Sequence, residues 1–300
     1  ACRRIGGRPM YAGVVAEMPE GPEIRLAADR IARVLEGQRL HEVLIAPHAL
    51  RQFTPRLEGA TVTRIDTRGK AMLTRFDNGL TLYSHNQLYG RWYVRARGDL
   101  PRTRRSLRVA LHTAMHSALL YSATDIEVLD AAGLESHAFL SRLGPDILDP
   151  ELRWHAVASR LNEQRFRARS LASLYLDQKF LAGIGNYLRT EILYFAQLSH
   201  SRRPMDISRA DRQRLARHTL DVARRSYRTG GITNPEKRVR ARKASGETKR
   251  GAYRFAAFAR DGRSCDVCGE TILREEVNAR RIYFCPRCQA SPREDPHGQV

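Results

Sequence analysis

Long apolar runs are missing from this 300-residue sequence: no stretch approaches the roughly 18 residues that a membrane-spanning helix needs. The opening residues scatter Arg3, Arg4 and Arg8 among short apolar pieces, too weak a pattern for a secretory signal to be expected there. Acidic residues are scarce. Asp and Glu total 32 against 52 Lys and Arg, a formal charge of +20. Self-repulsion of that size disfavours a compact state, so a polyanionic partner is implied. Charge alone leaves nucleic acids and anionic membrane surfaces open. Cysteines number only five, and four of them cluster near the C-terminus, away from the lone Cys2. That clustering excludes a disulfide scaffold spread over a secreted fold and points to a reducing, cytoplasmic compartment. The 42% hydrophobic share is ordinary for a globular protein, and the length allows two domains with cores of their own.

Apolar positions in Glu23–Leu35 recur at helical spacing, and Gly37 follows as a stop. The texture then changes to short β-rich runs over 61–65, 71–76, 80–84, 91–94, 107–111 and 119–122. Turn residues such as Asp77-Asn78-Gly79 punctuate them. Gly144-Pro145-Asp146 and Asp149-Pro150 make a hinge. Beyond it, 153–161, 171–178, 187–198 and 209–225 read as helices. Residues 229–251 are basic and poor in apolar side chains, so they read as a mobile linker with incidental DNA contact. Short strands are expected at 253–258 and 282–284. The fold class is α+β in two domains: an N-terminal β-sandwich with a flanking helix, then a helical domain ending in a zinc-ribbon hairpin.

Cys265-x-x-Cys268 and Cys285-x-x-Cys288 stand sixteen residues apart. Each pair can grip one edge of a tetrahedral ion, and four chance cysteines at this spacing are improbable. One structural Zn²⁺ is the expected cofactor, with no open coordination position for catalysis. Arg280 and Arg281, between the pairs, are placed for a phosphate.

Several motifs carry a resemblance. Met18-Pro-Glu-Gly-Pro-Glu reads like a chain start. Thr67-Arg-Gly-Lys70, the run Leu176-Asp-Gln-Lys-Phe-Leu-Ala-Gly-Ile-Gly-Asn186-Tyr-Leu-Arg-Thr-Glu191 and the cysteine pairs follow in order. Together they resemble the formamidopyrimidine-DNA glycosylase/endonuclease VIII family, from about Met18 to Gln289. Tyr83-Ser-His-Asn-Gln-Leu-Tyr-Gly90 and Tyr121-Ser-Ala-Thr-Asp-Ile-Glu127 are similar to its bacterial endonuclease VIII branch. The resemblance divides the chain into an extension (1–17, non-native or disordered), a catalytic β-sandwich domain (18–142), a hinge (143–150), a helix–two-turn–helix DNA-binding domain (151–228), a basic loop (229–255), a zinc finger (256–290) and a tail (291–300).

It also implies roles. The amine of Pro19 would be the nucleophile, since an α-amino group has a pKa near 8 and is partly neutral at physiological pH. Glu20 would be the acid, which calls for a raised pKa. Glu23 either shares that pocket or simply favours the helix dipole. Lys70, at a hairpin tip, would act in β-elimination, and Arg280 would grip phosphate and assist δ-elimination. Gln87, Leu88 and Tyr89 would fill the gap left by a flipped base. Asn186, with free N–H groups at a helix start, would hold phosphate. Arg142 and Arg189 are further DNA contacts that it suggests. Taken singly, most of these residues would pass as turn, cap or strand-end positions.

The expected function is a bifunctional glycosylase and AP lyase of base excision repair. It would act on oxidised pyrimidines in damaged double-stranded DNA, as a monomer in a bacterial cytoplasm at the nucleoid, with no membrane. Seventeen residues precede Met18. While they persist, the Pro19 nitrogen is a tertiary amide and no nucleophile, so the working start is expected at Met18, with Met removed. The alternatives are a non-catalytic damage-binding paralogue, an oxidised-purine glycosylase and a zinc-ribbon RNA binder.

Overall fold

The computed structural model describes residues 19–290. The expected extension and tail lie outside the described residues.

Helix α1 (Gly21–Leu35) opens the fold with Pro22 in its first turn, where a missing N–H costs nothing. Its apolar stripe of Ile24, Ala28, Ile31 and Leu35 is buried against two four-stranded antiparallel sheets. One sheet runs β1-β6-β7-β5: Glu42–Ile45, Leu107–His112, His116–Tyr121 and Arg91–Ala96. The other runs β2-β3-β4-β8: Val62–Arg68, Ala71–Phe76, Thr81–His85 and Asp125–Leu129. Alternation sends Val62, Ile65, Met72, Leu82, Trp92, Val109, Leu111 and Leu120 into one core. Two short helices, α2 (Thr54–Leu57) and α3 (Ala131–Ser136), close the ends. The expected sandwich with a flanking helix is present. Strands β1 and β8, four and five residues long, lie outside the expected runs.

The second half packs α4 (Trp154–Asn162), α5 (Gln164–Arg167), α6 (Leu171–Leu174), α7 (Asn186–Phe195) and α8 (Arg209–Arg228) around a separate core. The helix expected over 171–178 stops after one turn. Asp177 then turns its carboxylate onto the N–H of Lys179, and the chain coils toward Gly185. Of the hairpin β9 (Leu273–Val277) and β10 (Arg280–Phe284), β10 adds Ile282 and Tyr283 to the same core, and the flanking cysteine turns add Cys265 and Cys285. The finger is thus continuous with the helical domain.

Two expectations fail between 229 and 258. The basic segment is no bare linker: it folds into α9 (Glu236–Ala244) and α10 (Arg250–Arg254). Arg242 is buried there, bonded to Asp266 of the first cysteine knuckle and to the Ala252 carbonyl. Charge placed against a single carboxylate anchors what apolar content does not. Nor is 253–258 a strand. Its N–H groups have another acceptor: the carboxylate of buried Glu191 takes those of Ala256, Ala257 and Phe258, each at 2.8 Å.

Candidate active site

The chain start is bolted to the second domain. The Glu20 carboxylate is 3% exposed and caps the N-terminus of α7, accepting N–H bonds from Gly185 (2.7 Å), Tyr187 (2.8 Å) and Leu188 (3.2 Å). Free N–H groups and the helix dipole make that terminus an anion cradle. The Gly21 N–H donates to the Gly183 carbonyl at 2.9 Å. Gly183 has φ +98, which a side chain would strain. Gln178 holds this loop from below: its amide oxygen accepts from the Gly183 N–H, and its NH₂ donates to the Ile184 carbonyl. Glu23 accepts from the Glu20 N–H and from the Tyr187 hydroxyl, and pairs with Arg254 at 3.2 Å. Its part is to lock α1 onto α7.

Lys70 arrives from the β2–β3 hairpin. Two residues, Gly69-Lys70, close it, with Gly69 at φ +62 as a tight loop of this kind requires. Asp146 fixes the tip by accepting the Gly69 N–H at 2.7 Å. Arg280 arrives from the β9–β10 hairpin, whose turn residues Asn278 and Ala279 both have positive φ, 52° and 56°. Such a turn matches the twist of the flanking strands.

Pro19, Lys70, Gln87, Asn186 and Arg280 line one cleft of about 270 Å³, together with Gln178. Glu20 and Lys70 perturb each other there. Burial raises the Glu20 carboxyl to about pH 7 against the pull of Lys70 and the N–H bonds, with Glu23 adding to the rise. Burial pushes the Lys70 ammonium below its ordinary range, and Arg280 adds to that, while Glu20 and Glu23 oppose. The result is a carboxyl raised to about 7 beside an amine lowered from its ordinary range, a pairing suited to proton transfer.

The turn Asn86–Gly90 forms one rim. Gln87 stands at φ 47°, with its side-chain oxygen accepting from Thr124. Leu88 and Tyr89 project from it, 49% and 64% exposed. Arg142 is exposed in the adjoining groove, not in the cleft, and donates to the Ala138 carbonyl.

Arg189 requires a correction. It is fully buried and cannot reach a ligand directly. Its guanidinium donates to the Ala172 carbonyl, to Asn186 Oδ1 at 2.6 Å and to the Arg281 carbonyl at 3.0 Å. It braces Asn186 and the finger strand against each other. Arg281 itself is exposed beside Arg280. Sequence reasoning missed Gln178, Tyr187 and Asp146, and also His85 and Phe139, which complete the cleft wall. The first two sit inside the quoted helix–two-turn–helix run, where their types gave a clue. Asp146 was read only as a hinge breaker.

The four cysteine sulfurs lie within 4.8 Å of one another. Opposite pairs approach to 3.9 Å (Cys265–Cys288) and 3.4 Å (Cys268–Cys285). Zinc–sulfur bonds of about 2.3 Å imply tetrahedral edges near 3.8 Å, so the donor set fits one structural zinc. The N–H groups of Val267 and Cys288 point at Cys265 and Cys285 sulfur, as thiolates require.

Comparison with known proteins agrees with this geometry. Family models match at residues 18–125 (formamidopyrimidine-DNA glycosylase N-terminal domain), 143–237 (its H2TH domain) and 264–290 (zinc finger found in FPG and IleRS). Endonuclease 8 of Salmonella arizonae is 48% identical, and that of Salmonella agona 47%. Each match covers 91% of this chain and the whole relative. Among solved structures, Lactococcus lactis Fpg bound to DNA containing N7-benzyl-Fapy-dG superposes with TM-score 0.75 at 20% identity. MutM bound to DNA containing carbocyclic 8-oxo-G does so with TM-score 0.75 at 18% identity. Both alignments cover 91% of this chain and all of the other. Shared sequence, shared fold and a shared zinc finger lead to one conclusion: the chain belongs to the formamidopyrimidine-DNA glycosylase/endonuclease VIII family, the base-excision glycosylases with AP lyase activity.

Proposed function

We propose that the chain removes oxidised pyrimidines from double-stranded DNA through a Schiff base at Pro19, and then cleaves the strand by β,δ-elimination. The observation that carries this reading is the convergence of Pro19, Lys70 and Arg280 on one cleft, with protonatable Glu20 buried against its lining residue Gly185. These groups come from three distant parts of the chain, and a single copy supplies all of them, which supports action as a monomer. The Pro19 nitrogen attacks C1′, and the base departs carrying a proton supplied through Glu20. The sugar ring then opens at its C1′–O4′ bond, the ring oxygen taking a proton, to leave an iminium between Pro19 and C1′; loss of a C2′ proton expels the 3′ phosphate, and loss of a C4′ proton then expels the 5′ phosphate. Lys70 moves protons in the first elimination, and Arg280 and Asn186 hold phosphate. Leu88 and Tyr89 occupy the gap in the stack, since a base must be extruded before chemistry can reach it. Gln87-Leu88-Tyr89 supports the pyrimidine preference through the branch resemblance. The zinc holds the hairpin that presents Arg280.

The nucleophile must be a free amine, so Pro19 must be the first residue of the working enzyme. The test is borohydride trapping on lesion-bearing duplexes, with protein begun at Pro19 and with the full chain. A covalent adduct is expected only from the former. No adduct from either, or equal adduct from both, removes Pro19 from the mechanism. A panel of single oxidised pyrimidines and purines in the same duplex ranks the lesions, and faster excision of purines would overturn the pyrimidine assignment.

A further inference from the structure

A second groove, of about 250 Å³, lies between α1 and β5, the outermost strand of its sheet. Arg30 from the helix and Arg91 and Arg95 from the strand are among its lining residues, and no acidic residue is. Arg91 and Arg95 lie 5.0 and 5.7 Å from the Tyr93 ring centre. That ring is itself fixed edge-on against Tyr121 at 5.5 Å. Stacking of this kind orders an arginine while leaving its N–H fork free for a bidentate acceptor. Arg95 donates to the Val94 carbonyl at 2.9 Å and faces Asp99 at 3.6 Å. Among the described residues, Arg30 and Arg91 have neither a carboxylate partner nor a hydrogen bond.

The position of the groove indicates the ligand. Strand β5 begins directly after Gly90, at the end of the turn that carries Leu88 and Tyr89. With a rise of about 3.3 Å per residue, Arg91 and Arg95 stand about 13 Å apart along a line leading away from those side chains. Arg105, in the loop after β5, donates to the Tyr89 carbonyl and adds a further cation beside the turn. Charged side chains often guard an edge strand against pairing, but that accounts for Arg91 and Arg95 only; Arg30 comes from a helix. We propose that Arg30, Arg91 and Arg95 form a phosphate-binding groove for the backbone of the duplex arm that adjoins the Leu88–Tyr89 turn, extending the DNA footprint beyond the lesion. The proposal rests on the DNA-binding reading above.

The test uses protein begun at Pro19 and a 30-base-pair duplex with a central tetrahydrofuran abasic analogue, with binding followed by anisotropy across a salt series. Each phosphate contact contributes about 0.9 to the slope of log K against log salt. The double variant Arg30→Ala/Arg91→Ala is expected to lower that slope by about 1.8. A control with the same net charge, Arg51→Ala/Arg153→Ala, is expected to leave it unchanged. The deficit should vanish on a duplex trimmed to a few base pairs on the arm side. An unchanged slope, or an equal loss in the control, overturns the proposal. Borohydride trapping at saturating DNA reports separately, on the same duplex with a natural abasic site in place of the tetrahydrofuran, which has no C1′ oxygen to lose and forms no Schiff base. Absence of trapping in the parent protein would refute the Schiff-base reading and leave the binding slopes interpretable.

Discussion

Replacing Gly185 by alanine tests the assembly of the site with one methyl group. Gly185 has φ −130° and ψ −155°, open to any residue, so backbone strain plays no part. The cost is steric. A Cβ there would lie 2.4 Å from Glu20 Cδ, 2.5 Å from its Oε1 and 2.7 Å from its Cγ. Carbon atoms rest at about 3.5 Å or more, so the carboxyl must retreat by about 1 Å. The bonds at 2.7 and 2.8 Å from Gly185 and Tyr187 would then exceed hydrogen-bonding range. Charge-assisted bonds contribute about 1.5–3 kcal/mol each, so losing two gives a ceiling of about 3–6 kcal/mol. A misplacement near 1 Å costs about 100-fold in rate. The assay is single-turnover base excision at pH 7, paired with urea unfolding. Excision is expected to fall about 100-fold. Trapping on preformed abasic DNA, which needs no acid for base departure, should fall less. Folded Gly185→Ala protein excising at the parent rate would refute the idea that Glu20 must sit in this cradle.

Removing zinc with a chelator, or substituting Cys268→Ser, should loosen the finger and the Arg280 hairpin; lost strand cleavage with DNA affinity lowered checks this, and retained cleavage would contradict it. Base excision should decline as pH rises through about 7, where Glu20 gives up its proton, and the decline should be absent in Glu20→Gln, which is slow throughout. Because the folded pKa is raised, the same group contributes stability that is full below its ordinary value of 4.5 and is lost as pH approaches about 7. Urea midpoints of the parent relative to Glu20→Gln should therefore fall across that window. Arg189→Met removes a buried donor from three acceptors and should cost about 3 kcal/mol or more of stability; a shift below 1 kcal/mol would show that the brace is dispensable.

The periodic segments were legible from sequence because apolar burial writes them: α1, β3 and α8 stand within two or three residues of their expected bounds. The zinc ligands were legible because metal chemistry fixes their spacing. Other features left no such mark. Arg189 looks like any helical arginine, and only the acceptors around it, two of them backbone carbonyls, reveal a buried brace. Residues 229–258 carry little hydrophobic pattern because their anchors are polar: Glu191 for the Ala256–Phe258 amides, and Asp266 for Arg242. Those partners lie tens of residues away, beyond the reach of periodicity. Pro19, Glu20 and Lys70 stood out through family motifs, since each alone reads as a turn or cap.

The bond between Glu20 and Gly185 joins positions 165 residues apart. During synthesis the acid emerges among the first described residues, long before its cradle. Arg280 follows almost a hundred residues after that cradle. An unfinished chain therefore holds Glu20 without the amides that orient its carboxylate and lacks the hairpin that carries Arg280. The cleft is thereby complete only once the last domain is made, since its lining runs from Pro19 to Arg280.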